Sequence, residues 1–399
     1  MQSESAMETD LPLPKQFGDE LLVISRGEGV WLEDASGKRY LDFAGGIAVN
    51  SLGYGREDLA RIAYDQMKRL PHTSNYFTSE PTLALGRALV SSGPFAAVHF
   101  GNSGSEANET ALKYARLYAF RKKGKGHEGF LCFTNAFHGR TMGALSCTPT
   151  PKYQIPFAPL VPGVVVAPYN DTAALEETLD GRFAAVIVEA IQGECGLEEM
   201  TPAFAKALNA LCRKHDVILI ADEVQTGLGR IGAVYASREM GLEPDIITLA
   251  KPLAGGLPLS AALIPAKIND LIHKGEHGTT FGGGPVTTSV ALKVWEILNA
   301  PGFLDGVKRK GEALRAGLEN LKGKCQKVGR IKGRGLLQGF EYTAETGDGS
   351  AIKDLLTRLR DLGLLALSSG VNVVRLAPPL VIEEGELSKG IDIIREALS

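Results

Sequence analysis

Between residues 56 and 287, short apolar runs alternate with longer stretches whose apolar positions recur at helical spacing. Seven runs stand out: AAVHFGN (96–102), GFLCFTN (129–135), GVVVAPY (163–169), FAAVIVEAI (183–191), VILIADE (217–223), DIITLAK (245–251) and LSAALIP (259–265). They are continuous in hydrophobicity, as strands covered on both faces are, and helical stretches such as SEANETALKYARLYAFRK and PAFAKALNALCRKH supply the covers. The pattern predicts an α/β fold built on a mostly parallel central sheet of βαβ units.

The rhythm differs on either side. Residues 1 to about 15 read as a frayed tail, and GVWLEDASGKRYLDFAGG (29–46) as a hairpin around the turn signal Asp34-Ala35-Ser36-Gly37. From about 288 the order is a long helical segment, the β-rich VGRIKGRGLLQGFEY (328–342), a helix, NVVRLAPPLVI (372–382) and a terminal helix. The expected division is 1–55 as a tail and hairpin packing with the small domain, 56–287 as the large α/β domain, and 288–399 as a small α+β domain.

Composition narrows the function classes. A chain of 399 residues, 44% hydrophobic, is too long for a single core. Lys and Arg (43) nearly balance Asp and Glu (46), with no long run of one sign, so no nucleic-acid face is expected. The five cysteines, Cys132, Cys147, Cys195, Cys212 and Cys325, are scattered and form no C-x-x-C pair. That indicates neither a disulfide framework nor a zinc site and fits a reducing compartment. With neither a targeting segment nor an apolar run long enough to span a bilayer, the expectation is a cytoplasmic protein without membrane partner or metal.

Ligands of open parallel sheets gather beyond the carboxyl ends of the strands. There AAVHFGN feeds Ser103-Gly104-Ser105 and a helix whose Ala107, Ala111, Ala115 and Tyr118 share one face. Free N–H groups at such a helix start suit a phosphate, although an ordinary serine cap reads the same locally. No P-loop occurs, since Gly37-Lys38-Arg39 lacks the first glycine and the hydroxyl residue. No dinucleotide fingerprint occurs either, since GRGLLQG has Gln338 in place of the third glycine. VILIADE ends on Asp222-Glu223, and Lys251 closes DIITLAK at the same sheet edge. Taken singly, these are a solvent-facing acid and a lysine that snorkels to water. Together they match pyridoxal phosphate, which needs an amine to condense with its aldehyde, an acid to keep its pyridine nitrogen protonated, and N–H donors for its phosphate. Lys251, Asp222 and Ser103, Gly104 and Ser105 meet the three needs.

Six motifs then occur in order: NSGSEANETALKYAR, NAFHGRTMGALS, EAIQGECG, ADEVQTGLGR, LAKPLAGGLP and GTTFGGGPVTTSVAL. In order and spacing they resemble the class III aminotransferases with the aspartate-aminotransferase fold (fold type I), and among these the enzymes acting on acetylornithine. The resemblance spans roughly residues 17 to 395. It implies pyridoxal 5'-phosphate as cofactor, and a homodimer with active sites at the subunit interface. It also implies a step of arginine biosynthesis: transfer of the terminal amino group of N2-acetyl-L-ornithine to 2-oxoglutarate, giving N-acetyl-L-glutamate 5-semialdehyde and L-glutamate.

Position by position, the resemblance makes Lys251 and Asp222 the catalytic pair. Phe137 stacks on the cofactor ring, Val224 packs behind it, and Gln225 bonds its hydroxyl. Thr280 reaches the phosphate from the neighbouring subunit, with Thr279 beside the substrate. Arg140 clamps a substrate carboxylate, a task its planar fork suits. Arg375 receives a carboxylate of the oxo acid, and Glu194 masks Arg375 in the other half-reaction. Without the resemblance, Phe137 reads as core, Thr280 as loop and Arg375 as a surface ion pair.

LGYGRED (52–58) departs from the family's Gly-His-x-His-Pro, and Ala190 and Cys195 stand where a proline and a small residue are common. Gly45-Gly46 occupies a position where ornithine aminotransferases carry a tyrosine, which leaves room for an acylated nitrogen. Ornithine, N-succinyl-diaminopimelate and 4-aminobutyrate remain alternative donors. A catalytically silent, cofactor-binding paralogue would be expected to lack Lys251, Asp222 or Arg140, and all three are present.

Overall fold

The computed structural model describes Pro14, Gln16 and residues 21–399. Except for Pro14, the stretch read as a frayed tail lies outside the described residues. All seven apolar runs form strands of one sheet, in the order 97–101, 260–264, 246–249, 218–222, 183–188, 129–133, 164–167. Ser260–Ile264 runs antiparallel to both its neighbours, and the other six strands share one direction.

Continuous hydrophobicity reflects cover on both faces. Ile218 and Ile220 pack with Ala111, Ala115 and Tyr118 of the helix Gly104–Lys123. Leu219 points the other way, toward Phe204 and Leu208 of the helix Pro202–His215. Alternate side chains of one strand thus enter two different cores.

The hairpin forms as expected, with Trp31–Asp34 antiparallel to Arg39–Asp42. Ile24–Glu28 extends it on one side and Leu364–Leu365 on the other, so the start of the chain shares a sheet with its C-terminal part. A further sheet has the order 328–334, 337–342, 373–376, 367–369. The helix Pro285–Leu298 packs against Glu57–Arg69 and Glu80–Val90.

One turn has no counterpart in the hydrophobic pattern. Gly45, Gly46, Ile47 and Ala48 have φ of 58°, 61°, 63° and 61°, a left-handed turn. A Cβ on Gly45 would lie 2.6 Å from the Ala377 carbonyl oxygen. The glycine pair therefore has a backbone reason independent of any substrate, and Ile47, β-branched at positive φ, carries strain. The turn delivers Val49 to the cavity described next.

Candidate active site

A cavity of about 360 Å³ lies beyond the carboxyl ends of the sheet strands. One end is the start of the helix Gly104–Lys123. Ser103 caps it in a reciprocal box with Glu106, so the local serine-cap reading also holds. The cap leaves the N–H groups of Gly104 and Ser105 without a helical acceptor. A Cβ on Gly104 would lie 2.6 Å from Val224 Cγ1, so only glycine lets these two walls meet. Ser105 Oγ accepts from the Arg140 N–H at 3.1 Å and ties the helix start to the turn after Phe137.

Lys251 also lines the cavity and is partly open to it. The strand stops at Leu249, short of the run expected from the sequence, because Pro252 has no N–H for the ladder. Lys251 has φ 23° and follows Ala250 at φ −160°, ψ −118° before a short 3₁₀ turn, Lys251–Ala254. Strain of this kind gathers at functional residues. Burial pushes the ammonium below the usual lysine range, the Glu194 charge opposes that shift, and Arg375 adds to it.

Asp222 is 5% exposed and held from several sides. Its Oδ1 accepts from the Val224 N–H at 3.0 Å, and its Oδ2 from Asn108 Nδ2 at 2.8 Å and His138 Nδ1 at 2.8 Å. Burial works against a charged His138, but the bond to Asp222 and its charge outweigh burial and raise the imidazole's pKa. His138 Nε2 is buried without a partner among the described residues, consistent with a proton kept on Nδ1. Thr248 Oγ1 fixes Asn108 in turn. The neighbouring Glu223 faces away and binds the N–H groups of Ala236 and Ser237, a structural acid.

Between these walls lie Phe137, Val224, Gln225 and Glu194. Arg375, 4% exposed, stands behind them and donates to Glu194 Oε1 at 2.6 Å and the Gly193 carbonyl at 2.8 Å. Gln225 Nε2 donates to the same Glu194 oxygen at 2.8 Å. Burial pushes Glu194 up, and Arg375 with Lys251 more than offsets it, leaving its pKa below the ordinary glutamate value. A buried guanidinium is sustainable because it is paired and hydrogen-bonded. The surface salt bridge expected from sequence alone is an interior one.

Arg140 is exposed at the margin, with its guanidinium 3.7 Å from the Tyr153 ring centroid and 5.4 Å from that of Phe137. Thr279 and Thr280 do not line this cavity. They belong to an exposed loop in which Thr280 neighbours His72, Thr73 and Ser74.

Several residues here escaped the sequence reading. Glu189 accepts the N–H groups of Phe137 (2.9 Å) and Gly193 (3.2 Å), and burial, with the Asp222 charge, raises it to about 7. It follows an apolar strand just as Asp222 ends one, so the same signal could have found it. His138 sits inside the quoted NAFHGR, but its partner Asp222 is far away in sequence. Nothing local marks Tyr153.

The walls fit pyridoxal phosphate: a bare helix start for an anion, a carboxylate held by three donors, and an amine with a depressed pKa. The comparisons agree with that fit. The chain is 40% identical to a succinylornithine transaminase of Yersinia enterocolitica, covering 96% of both chains. It is 41% identical to a probable mitochondrial acetylornithine aminotransferase of Schizosaccharomyces pombe, over 94% of this chain and 86% of that one. The crystal structure of acetylornithine aminotransferase from Elizabethkingia anophelis superposes with a TM-score of 0.84 at 34% identity, covering 99% of this chain and 96% of the other. Pyridoxal phosphate is the cofactor of aminotransferases of this class. The model of the class-III aminotransferases matches residues 14–398, nearly the whole chain, and with the fold and the cavity in agreement the protein belongs to that family.

Proposed function

We propose that this aminotransferase moves the terminal amino group of N2-acetyl-L-ornithine to 2-oxoglutarate, as a cytoplasmic homodimer with shared active sites. The observation that carries the reading is the pairing of the buried Arg375 with Glu194 near Lys251, which in this reading is a second carboxylate site that Glu194 closes and opens. The names of the relatives at about 40% identity support an acylated ornithine as donor. Gly45-Gly46 adds little, because a side chain at Gly45 would meet the Ala377 carbonyl whatever the substrate. The dimer is supported by Tyr76, Phe77 and Phe281, which are 88%, 75% and 67% exposed, and by Thr280, which does not line its own cavity. In this reading residues 56–287 hold the cofactor and 288–399 form the small domain that contributes Arg375.

The bound cofactor supplies an electron sink for the carbon that loses its proton. Asp222 would hold a negative charge toward the cofactor's pyridine nitrogen, with Phe137 and Val224 packing against the ring and Gln225 toward its hydroxyl. The N–H groups of Gly104 and Ser105, with the Ser103 and Ser105 hydroxyls, would hold the phosphate, joined by Thr280 of a second copy. Lys251, whose amine is readily deprotonated, carries the proton from the terminal carbon of the donor. Arg140 holds one carboxylate in both half-reactions, with Thr279 near the substrate. Glu194 neutralises Arg375 while the donor is bound and yields it to the second carboxylate of 2-oxoglutarate.

Two measurements test this. Across N2-acetylornithine, N2-succinylornithine, N-succinyl-diaminopimelate, ornithine and 4-aminobutyrate, kcat/KM should be highest for N2-acetylornithine and lower for ornithine by roughly 10- to 200-fold, the scale on which a pocket separates similar molecules. A preference for ornithine would reject the assignment. In single turnovers, Arg375→Ala should impair mainly the 2-oxoglutarate half, by about 2–5 kcal/mol, the cost of leaving the second carboxylate of 2-oxoglutarate without its cationic partner. Arg140→Ala should impair both halves. Equal damage to both halves by Arg375→Ala would reject the switch.

A further inference from the structure

The loop bearing Thr279 and Thr280 begins at His277, whose ring is engaged on every side. It stacks on His99 at 4.6 Å with an interplanar angle of 13°, and Tyr114 meets it edge-on at 5.6 Å. Its Nδ1 lies 2.8 Å from Lys113 Nζ and its Nε2 lies 3.0 Å from Thr110 Oγ1. An ammonium has only donors, so Nδ1 accepts, and the proton of the neutral ring sits on Nε2 and goes to Thr110. Thr110 and Lys113 are on the helix whose first turn presents Gly104 and Ser105 to the cavity. Further along the loop, Thr279 Oγ1 accepts from the Gly282 N–H at 3.2 Å, and the Thr279 carbonyl accepts from Asn75. A Cβ on Gly282 would lie 2.3 Å from the Phe100 carbonyl oxygen, so the loop is pressed onto the strand Ala97–Gly101.

We propose that His277 is a positioning residue: as a neutral imidazole with its proton on Nε2, it pins residues 277–280 to the helix Gly104–Lys123 so that Thr280 is presented to the phosphate end of a second copy's cavity, and protonation of the ring releases the loop. The inference rests on the reading of Thr280 as a phosphate contact across the dimer.

The charges around the ring set the direction. Lys113 faces it from the helix, His99 stacks on it from the strand, and Tyr114 is uncharged at neutral pH. Glu109 is the acid whose charge favours protonation of His277, and Glu106 acts in the same sense on His99. Beside His277 in the chain, Glu276 is taken up by Arg121 and the nearby His273. Burial first, then Lys113, hold His277 below the usual histidine value. Its neutral contacts are therefore complete above about pH 6.5 and are lost as pH falls through the lowered value.

The test measures dissociation of pyridoxal phosphate from the holoenzyme, with dimer content followed by size exclusion. At about pH 8, His277→Ala should weaken cofactor binding by roughly tenfold in an intact dimer, the scale of one or two lost hydrogen bonds, and Thr280→Ala should weaken it comparably. His277→Gln, which can still donate to Thr110 but cannot titrate, should bind within about threefold of the parent. It should also lack the parent's loss of affinity as pH falls below about 6.5. Unchanged affinity in His277→Ala, with weakened affinity in Thr280→Ala, would overturn the proposal alone. Unchanged affinity in Thr280→Ala would overturn the reading of the loop beneath it. An acid loss in His277→Gln equal to the parent's would overturn the requirement for a neutral ring.

Discussion

Lys251→Ala is expected to abolish transamination in both directions while leaving the fold and most cofactor affinity in place. The expectation rests on position. Lys251 lines the cavity in a strained backbone conformation that alanine, with the same Cβ, would adopt at no greater cost than lysine. The phosphate seat, the Asp222 network and the Phe137–Val224 walls do not depend on its side chain, so pyridoxal phosphate should remain bound without a covalent link. Removal of a positioned proton carrier costs roughly 10²–10⁴-fold in rate, and loss of the covalent attachment adds to that. Borohydride reduction of the parent followed by peptide mapping should mark Lys251. A label on another lysine, or turnover within tenfold of the parent in the variant, would remove Lys251 from the mechanism.

How far such a site can be read from sequence depends on whether its signal is local. Asp222 and Lys251 were legible because each interrupts or follows an apolar strand, and a sheet brings strand ends together. The Ser103-Gly104-Ser105 turn was legible as a helix start, although the reciprocal cap with Glu106 shows that two readings can be true at once. Arg375 was legible only through the motif resemblance. Its burial against Glu194 joins residues 181 positions apart, and no periodicity encodes that. The left-handed turn at Gly45–Ala48 reads as an ordinary glycine turn, since neither the positive φ of Ile47 nor the approach of the Ala377 carbonyl to Gly45 is marked in the sequence. Tyr153 under Arg140 and His277 under the Thr279–Thr280 loop are marked by nothing in their own segments. Their partners come from the tertiary fold.

The second large effect is expected at Asp222, where a change of one atom should be severe for two separable reasons. Asp222→Asn removes the negative charge that keeps the pyridine nitrogen protonated, and loss of a preorganised electrostatic partner costs on the order of 10²–10³-fold in kcat. The network around the residue makes the loss structural as well. As a carboxylate, it accepts on Oδ1 from Val224 and on Oδ2 from Asn108 and His138. An amide has one acceptor end. With its oxygen toward Val224, its NH₂ confronts the Asn108 amide and compels His138 to shift its proton to Nε2, the nitrogen with no partner among the described residues. With its oxygen toward Asn108, its NH₂ confronts the Val224 N–H. Either orientation leaves a buried donor unsatisfied, at about 1–3 kcal/mol. The variant should therefore lose both kcat and thermal stability in the holoenzyme. A neutral amide that left kcat near the parent value would make Asp222 a structural acid like its neighbour Glu223. An unchanged Tm with the expected loss of kcat would instead mean that the Asn108–His138 network tolerates the amide, and that the whole effect lies in the charge.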